Sequence, residues 1–402
     1  MINSTRLQQH IETLGQIGEN TVTKGMNRFS FTTEEQQAND VIARFMQEAG
    51  MTVTVDAVGN VIGTYGSGEE TIMMGSHIDT VPEGGKYDGA LGVLSAIEVV
   101  HTMAEQQVTP PYKIEVVAFK DEEGTRFGFG LLGSRAMAGL LEEQDLQAPD
   151  DDGITIAQAM VDAGFVTDTL ASAVRTDIKA YVELHIEQGK VLENADLPVG
   201  VVTGIAAPLW LDVKVIGVSE HAGATPMDLR CDALTASSEM ILAIEKLAQK
   251  FGIVATVGKL QVKPNGVNVI PGQVDFTIDM RDIDEEDVAQ AEQQLYEVLQ
   301  KIAEKRGVQC DTQLLQRVKP AKCDELLIQQ VSAAIEAQHL KVHTLPSGAG
   351  HDAMNMANVA PIVMIFVRSK GGISHNPLEY SSPEDIAIAT QVLYDTIQKI
   401  AQ

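Results

Sequence analysis

Five short segments of the chain each carry a residue of a type that ligates metal ions: His77 in GSHIDTV, Asp88 in KYDGALG, Glu123 in KDEEG, His185 in VELHIEQG and His375 in GGISHNP. Three imidazoles and two carboxylates are a suitable donor set for two divalent ions. Such a pair sits roughly 3.5–4 Å apart around a bridging carboxylate, with positions left open for water and substrate. The set predicts a hydrolase. Asp88 lies in a glycine-rich loop, where backbone can approach a metal closely and a carboxylate can bridge two ions. His77 and Asp79 form an H-x-D pair, in which the carboxylate can orient the imidazole from behind. Glu122 and Glu123 are adjacent at a strand end and so point in different directions. One can ligate while the other faces the attacking water as general base. Taken singly, each is an ordinary loop histidine, turn aspartate or surface glutamate; only the joint set points to chemistry.

Positioning these residues requires strands that end at them. Thr71–Met74 reads as a strand running into Gly75-Ser76-His77, and Ile114–Phe119 as one delivering Asp121-Glu122-Glu123. Ile178–Val182 delivers Glu183 and His185, and Pro361–Val367 leads into the glycine loop before His375. Ligands of open α/β sheets bind beyond the carboxyl ends of strands, so these loops can converge although they are far apart in sequence. Leu7, Ile11, Leu14 and Ile17 recur at helical spacing, and Thr32 or Thr33 with Glu35 caps a second helix that stops at Gly50. Thr52–Val55 and Val61–Tyr65 form a hairpin-like pair, and Gly89–Met103 a helix. From Trp210 to Glu325 the rhythm changes to β-α-β-β-α-β: strand Leu211–Val218, helix Asp232–Phe251, strands Ile253–Val262 and Gln273–Asp282, a second helix, and strand Gln309–Leu315. Val288, Ala291, Leu295, Val298, Leu299 and Ile302 give that second helix one apolar face, as layering on one side of a sheet requires. The expected organisation is a discontinuous catalytic domain, 1–210 and 326–402, with an inserted α+β, ferredoxin-like domain at 211–325.

A chain of 402 residues with 44% hydrophobic content can bury more than one core. Its formal charge of −27 disfavours nucleic acid and anionic membrane surfaces as partners, since both would be repelled. Most of the 56 acidic residues are a solvated surface rather than ligands. Cys231, Cys310 and Cys323 are too few and scattered for a disulfide framework or a cysteine-rich zinc site, which suits a reducing cytoplasm. The first residues lack a basic and apolar leader pattern, and no apolar run reaches membrane-spanning length.

The ordered set GSHIDTV, GGKYDG, DEEGTRFGFGLLGSRAMAG, VELHIEQG, EHAGATPM, NVIPG, SGAGHD and GGISHNP resembles the hydantoinase/carbamoylase amidohydrolases over nearly the whole chain. These form a branch of the di-metal aminoacylase and carboxypeptidase superfamily. The resemblance implies an α/β di-metal domain carrying a lid through which two subunits pair. It implies two divalent ions per subunit, zinc or manganese with cobalt and nickel as alternatives, because His/carboxylate sites accept several metals. His77, Asp88 and His185 would hold one ion, and Asp88, Glu123 and His375 the other, with Glu122 as base. Gln188, His221, Asn268, Arg281 and the Gly350 backbone match positions that contact substrate, and His221 would reach the partner's site and donate to the developing oxyanion. Arg281 suits a substrate carboxylate through its planar fork. His185 stands where the wider peptidase relatives carry a carboxylate, which favours carbamoylases over dipeptidases. The segment Gly204–Leu209 lacks the arginines of the allantoate enzymes. The implied activity is hydrolysis of N-carbamoyl-L-amino acids, with allantoate hydrolysis as the alternative and a non-catalytic metal-dependent binding dimer as the remote one.

Overall fold

The computed structural model describes residues 1–401. Its strands are β1 (Thr52–Val55), β2 (Val61–Tyr65), β3 (Thr71–His77), β4 (Lys113–Phe119), β5 (Ile178–Ile186), β6 (Val199–Ile205), β7 (Ala207–Ile216), β8 (Val254–Thr256), β9 (Leu260–Lys263), β10 (Gln273–Asp282), β11 (Gln309–Arg317), β12 (Ala321–Lys322), β13 (Thr344–Ser347) and β14 (Ile362–Val367). The chain divides into two compact units, 1–204 with 322–402, and 205–321. The sequence patterning put these junctions near 210 and 325; in the structure β7 begins at Ala207, so its first residues already belong to the insert.

The larger unit is built on a nine-stranded sheet in the order β1-β2-β4-β3-β5-β14-β6-β12, with β13 also paired to β6. At its centre β4, β3, β5 and β14 are parallel. Parallel strands covered on both faces read as unbroken apolar runs. IVMIFV in β14 is accordingly buried at all six positions, and so is every residue of β3. Each buried Val, Ile, Met or Phe among them stabilises the fold by about 1.5–3 kcal/mol relative to exposure. Helix Ala90–Glu105 packs against β3 and β5, and helix Pro383–Ile400 against β14 and helices Ala90–Glu105 and Glu325–Ala337. Because the four strands run the same way, their carboxyl ends lie along one edge, and His77 and His185 stand at the ends of β3 and β5. Helix Thr33–Glu48 starts as expected, with the Thr32 side chain accepting the Glu35 amide.

The insert is an antiparallel sheet in the order β11-β7-β10-β8, with β9 on the same edge of β10. This is the ferredoxin-like arrangement of fourth, first, third and second strands. Helices Ala233–Phe251 and Glu285–Arg306 cover one face, where Leu209, Leu211, Val213 and Val215 alternate inward with Val274, Phe276, Ile278 and Met280. The single strand expected over Ile253–Val262 is two. Val254 and Thr256 pair with Arg281 and Asp279, the chain leaves the ladder around Gly258, and Leu260–Lys263 resumes against Phe276–Gln273. Among the described residues no helix is long and apolar enough to cross a membrane. All three cysteines are free.

Candidate metal centre

His77 and His185 are held in the same posture. The His77 Nδ1 lies 3.1 Å from the Asp79 carbonyl and the His185 Nδ1 lies 2.9 Å from the Ile186 carbonyl. A carbonyl only accepts, so each ring carries its proton on Nδ1 and turns the Nε2 lone pair inward, the tautomer a metal ligand needs. Both rings are buried. The Asp88 Oδ1 sits 3.7 Å from the Nε2 of His77 and 3.2 Å from that of His185, while its Oδ2 sits 3.2 Å from the Nε2 of His375. One carboxylate thus faces two ligand sets with different oxygens. Gly89, at φ 60°, lets the chain turn from Asp88 into helix Ala90–Glu105; a Cβ there would overlap the His77 ring. The positive helix end also favours a carboxylate at Asp88.

The carboxylates of Glu122 and Glu123 face different imidazoles. Glu122 Oε2 faces the Nε2 of His77 at 3.7 Å, and Glu123 Oε1 faces that of His375 at 3.4 Å. Asp79, buried behind them, accepts both their backbone amides. Ligand-competent atoms gather into the trios His77, Asp88, His185 and Asp88, Glu123, His375, and also His77, Glu122, Glu123. The first two trios share only Asp88, as a bridged pair of ions requires.

The electrostatics ask for positive charge. Burial pushes the Glu122 carboxyl well above its usual range, with the Glu123 charge adding to it and His77 opposing. Burial likewise pushes Glu123 up to about 7, and Asp88 reinforces this. Burial would raise Asp88 too, but the close approach of the His185 and His375 rings to its oxygens holds it well below the carboxylate range. The Asp88 hydrogen bond in turn raises His375 to about 9. Glu123 Oε1 is buried without a hydrogen-bond partner, with the half-exposed His375 ring as the cationic neighbour at 3.4 Å. A buried acceptor of this kind is costly unless something cationic meets it. The donor chemistry, the inward lone pairs and this orphaned oxygen fit divalent ions.

Other expected residues fall in several places. Gln188, in the left-handed region at φ 58°, donates its amide to Asp88 Oδ2 at 2.9 Å, and its Oε1 is buried and unpartnered. Gly350 is exposed in a turn tied by Ser347, whose hydroxyl meets the Ala349 carbonyl and the Nε2 of His351. His351 packs edge-on to His185 with centroids 4.5 Å apart. In the insert, His221 and Asn268 come together: the Ala222 amide donates to the Asn268 carbonyl at 3.0 Å. His221 is exposed, and its Nδ1 accepts the amides of Gly223 and Ala224, which leaves its proton on the outward Nε2. Arg281 is apart from them on the open face of β10, and its fork already grips Asp279 through Nε and Nη2 at 2.9 and 2.8 Å. Leu209, at the end of the arginine-free segment, packs in the insert's own core.

Two residues of the site were missed in the sequence. Glu379 accepts the Tyr87 and Asp88 amides, and the Ser374 hydroxyl lies between Asp88 and Glu379, within hydrogen-bond reach of an oxygen of each. Both flank His375, which was the one local sign available.

The sequence profile of peptidase family M20/M25/M40 matches residues 73–399, which span all five ligand segments. The chain belongs to this family. Within the family it is 47% identical to an N-carbamoyl-L-amino acid amidohydrolase of Geobacillus stearothermophilus, over the full length of both chains. It is 37% identical to an allantoate amidohydrolase of Bacillus subtilis, covering 98% of this chain and 97% of the relative. The crystal structure of a hydantoinase/carbamoylase family amidase from Burkholderia multivorans superposes with a TM-score of 0.93 at 35% identity, covering 100% of this chain and 98% of that one. The α/β peptidase-like fold and the hydrolytic class expected from the motifs are those of the family.

Proposed function

We propose that this chain is a two-metal amidohydrolase that cleaves the carbamoyl C–N bond of N-carbamoyl-L-amino acids, releasing the amino acid, ammonia and carbon dioxide. The observation that carries the reading is Asp88, whose two oxygens face two different sets of ligands. His77, Asp88 and His185 would hold one ion, and Asp88, Glu123 and His375 the other. When bound, the pair supplies Lewis acidity toward the ureido carbonyl and makes water acidic enough to attack at neutral pH.

Glu122 then acts as the proton carrier. Its Oε2 faces the His77 Nε2 at 3.7 Å, beside the ligand trios, where a carboxylate can take a proton from water and later give it to the departing nitrogen. Asp79 fixes the backbone from which Glu122 projects. His221, with its proton on Nε2, is a donor for the oxygen that gains charge, and Asn268 beside it is a second polar contact. Gln188 and the Gly350 turn are the remaining contacts for a small polar substrate. For Arg281 to read the substrate carboxylate it must exchange the grip it has on Asp279. Zinc or manganese are the expected metals, the working unit is a homodimer paired through the insert, and the compartment is the cytoplasm.

Allantoate is the second reading, favoured by the full-length relative of that name. Higher identity to the N-carbamoyl enzyme keeps it second. A panel of N-carbamoyl-L-amino acids, their D-enantiomers, allantoate and N-acetyl amino acids, assayed with added manganese, decides. The highest kcat/KM should fall on an N-carbamoyl-L-amino acid; a preference for allantoate would promote the second reading.

A further inference from the structure

Glu379 is buried, 5% exposed, and reaches across 291 residues to Asp88. Its Oε1 accepts the amides of Tyr87 at 2.9 Å and Asp88 at 3.0 Å, and its Oε2 meets the Ser374 hydroxyl at 3.1 Å. The same hydroxyl lies 2.8 Å from Asp88 Oδ2. The loop before Asp88 passes so close that a Cβ on Gly85 would overlap the Glu379 carboxylate. One buried side chain therefore straps the loop of Asp88 to the loop of His375.

The two ligand trios differ in how much they depend on this strap. His77 and His185 are anchored by carbonyls of their own strands' ends, and the Gly89 amide contacts the His185 Nε2 at 3.2 Å, tying Asp88's neighbour to that side. His375 is half exposed, sits at φ 54° and has no such carbonyl anchor among the described residues. Its distance from Asp88 is set by the Ser374 and Glu379 bonds.

We propose that Glu379 is a positioning residue that fixes the spacing of Asp88 and His375 and so governs the affinity of the ion held by Asp88, Glu123 and His375, separately from the ion held by His77, Asp88 and His185. The inference rests on the two-ion reading above. Its test is equilibrium dialysis of the full-length wild type, Glu379→Ala and Glu379→Gln against manganese, with bound metal counted per chain. The wild type should take up two ions. Glu379→Ala should keep one at wild-type affinity and bind the other about 10–100-fold more weakly, the usual cost of losing a group that orients a ligand. Glu379→Gln should recover most of the loss, because its amide oxygen still accepts both backbone N–H groups and its NH2 can donate to Ser374.

Fewer than two ions on the wild type would sink the two-ion reading itself. Two ions bound equally well by wild type and Glu379→Ala, or both weakened alike, would overturn the role of Glu379. If Glu379→Ala fails to fold, Ser374→Ala decides: selective weakening of one ion supports the strap, and unchanged binding of both removes it.

Discussion

Asp79 Oδ1 accepts the backbone amide of Glu122 at 3.1 Å, and its other oxygen accepts that of Glu123 at the same distance. One carboxylate therefore sets the direction of both glutamates, and its backbone carbonyl also fixes the His77 tautomer. Asp79→Asn would turn an NH2 toward an amide that it formerly accepted. The expected result is a loss of about 10–100-fold in metal affinity or kcat with the fold retained. Wild-type metal content and rate in a folded Asp79→Asn protein would remove the residue from the site.

Glu122→Gln should preserve two ions per chain and lower kcat by about 10²–10⁴-fold, because an amide cannot carry the proton. Metal analysis alongside steady-state kinetics checks both halves. A near-normal kcat would assign the proton transfer to another group.

Chelation should abolish turnover, and a divalent transition ion should restore it. The ions should also raise Tm, since a ligand at 100 times its Kd stabilises by about 2.7 kcal/mol. Undiminished activity in a protein shown to be metal-free would refute the proposed chemistry.

His221→Ala and Glu122→Gln dimers should each be nearly inactive. If each subunit lends its His221 to the other, a mixed dimer contains one intact site. Co-refolding at equal ratio should then return up to roughly a quarter of wild-type activity. Differently tagged chains that pair without regaining activity would show that His221 does not act across subunits.

His10 makes stability depend on pH. It is buried and stacked on Phe45 at 3.7 Å, its Nδ1 has no partner, and burial pushes its pKa down to about 4. The unfolded chain takes up that proton at about 6.5. Between the two values the unfolded state binds more protons, so His10's contribution is complete above pH 6.5 and is lost as pH falls toward 4. His10→Phe should show a smaller drop in Tm between pH 7.5 and pH 5 than the wild type. An equal drop in both would mean that His10 does not set this dependence.

The strands that deliver His77, Glu122, Glu123 and His185 were legible because a buried parallel strand has to be an apolar run, and the loop after it has to carry the function. The insert was legible for the complementary reason: one covered face imposes alternation, as in β7 and β10. The break at Gly258 was not, because a departure from the ladder leaves the apolar pattern on either side intact. Glu379 was unreadable in a stronger sense. The amides it holds, those of Tyr87 and Asp88, are brought to it only by the fold, and locally it looks like any surface glutamate after a proline. Arg281 was read for its geometry, and the structure shows that Asp279, two residues earlier on the same face, already satisfies it. Leu209, at the end of the arginine-free segment, packs in the insert's core.

The place of β14 between β5 and β6 sets a timetable for synthesis. A chain emerging from its amino end completes β5 long before β14 exists; roughly 175 residues separate them, or about 9–35 s at ordinary translation rates. Throughout that interval one side of β5 has no partner, while the whole insert is made and can fold. The nascent protein therefore carries an open, apolar sheet edge in the middle of its future core, the kind of edge that recruits other chains. A ribosome stalled anywhere within the insert should leave a product prone to aggregation, whereas a released chain in which β14 has docked beside β5 has closed the seam.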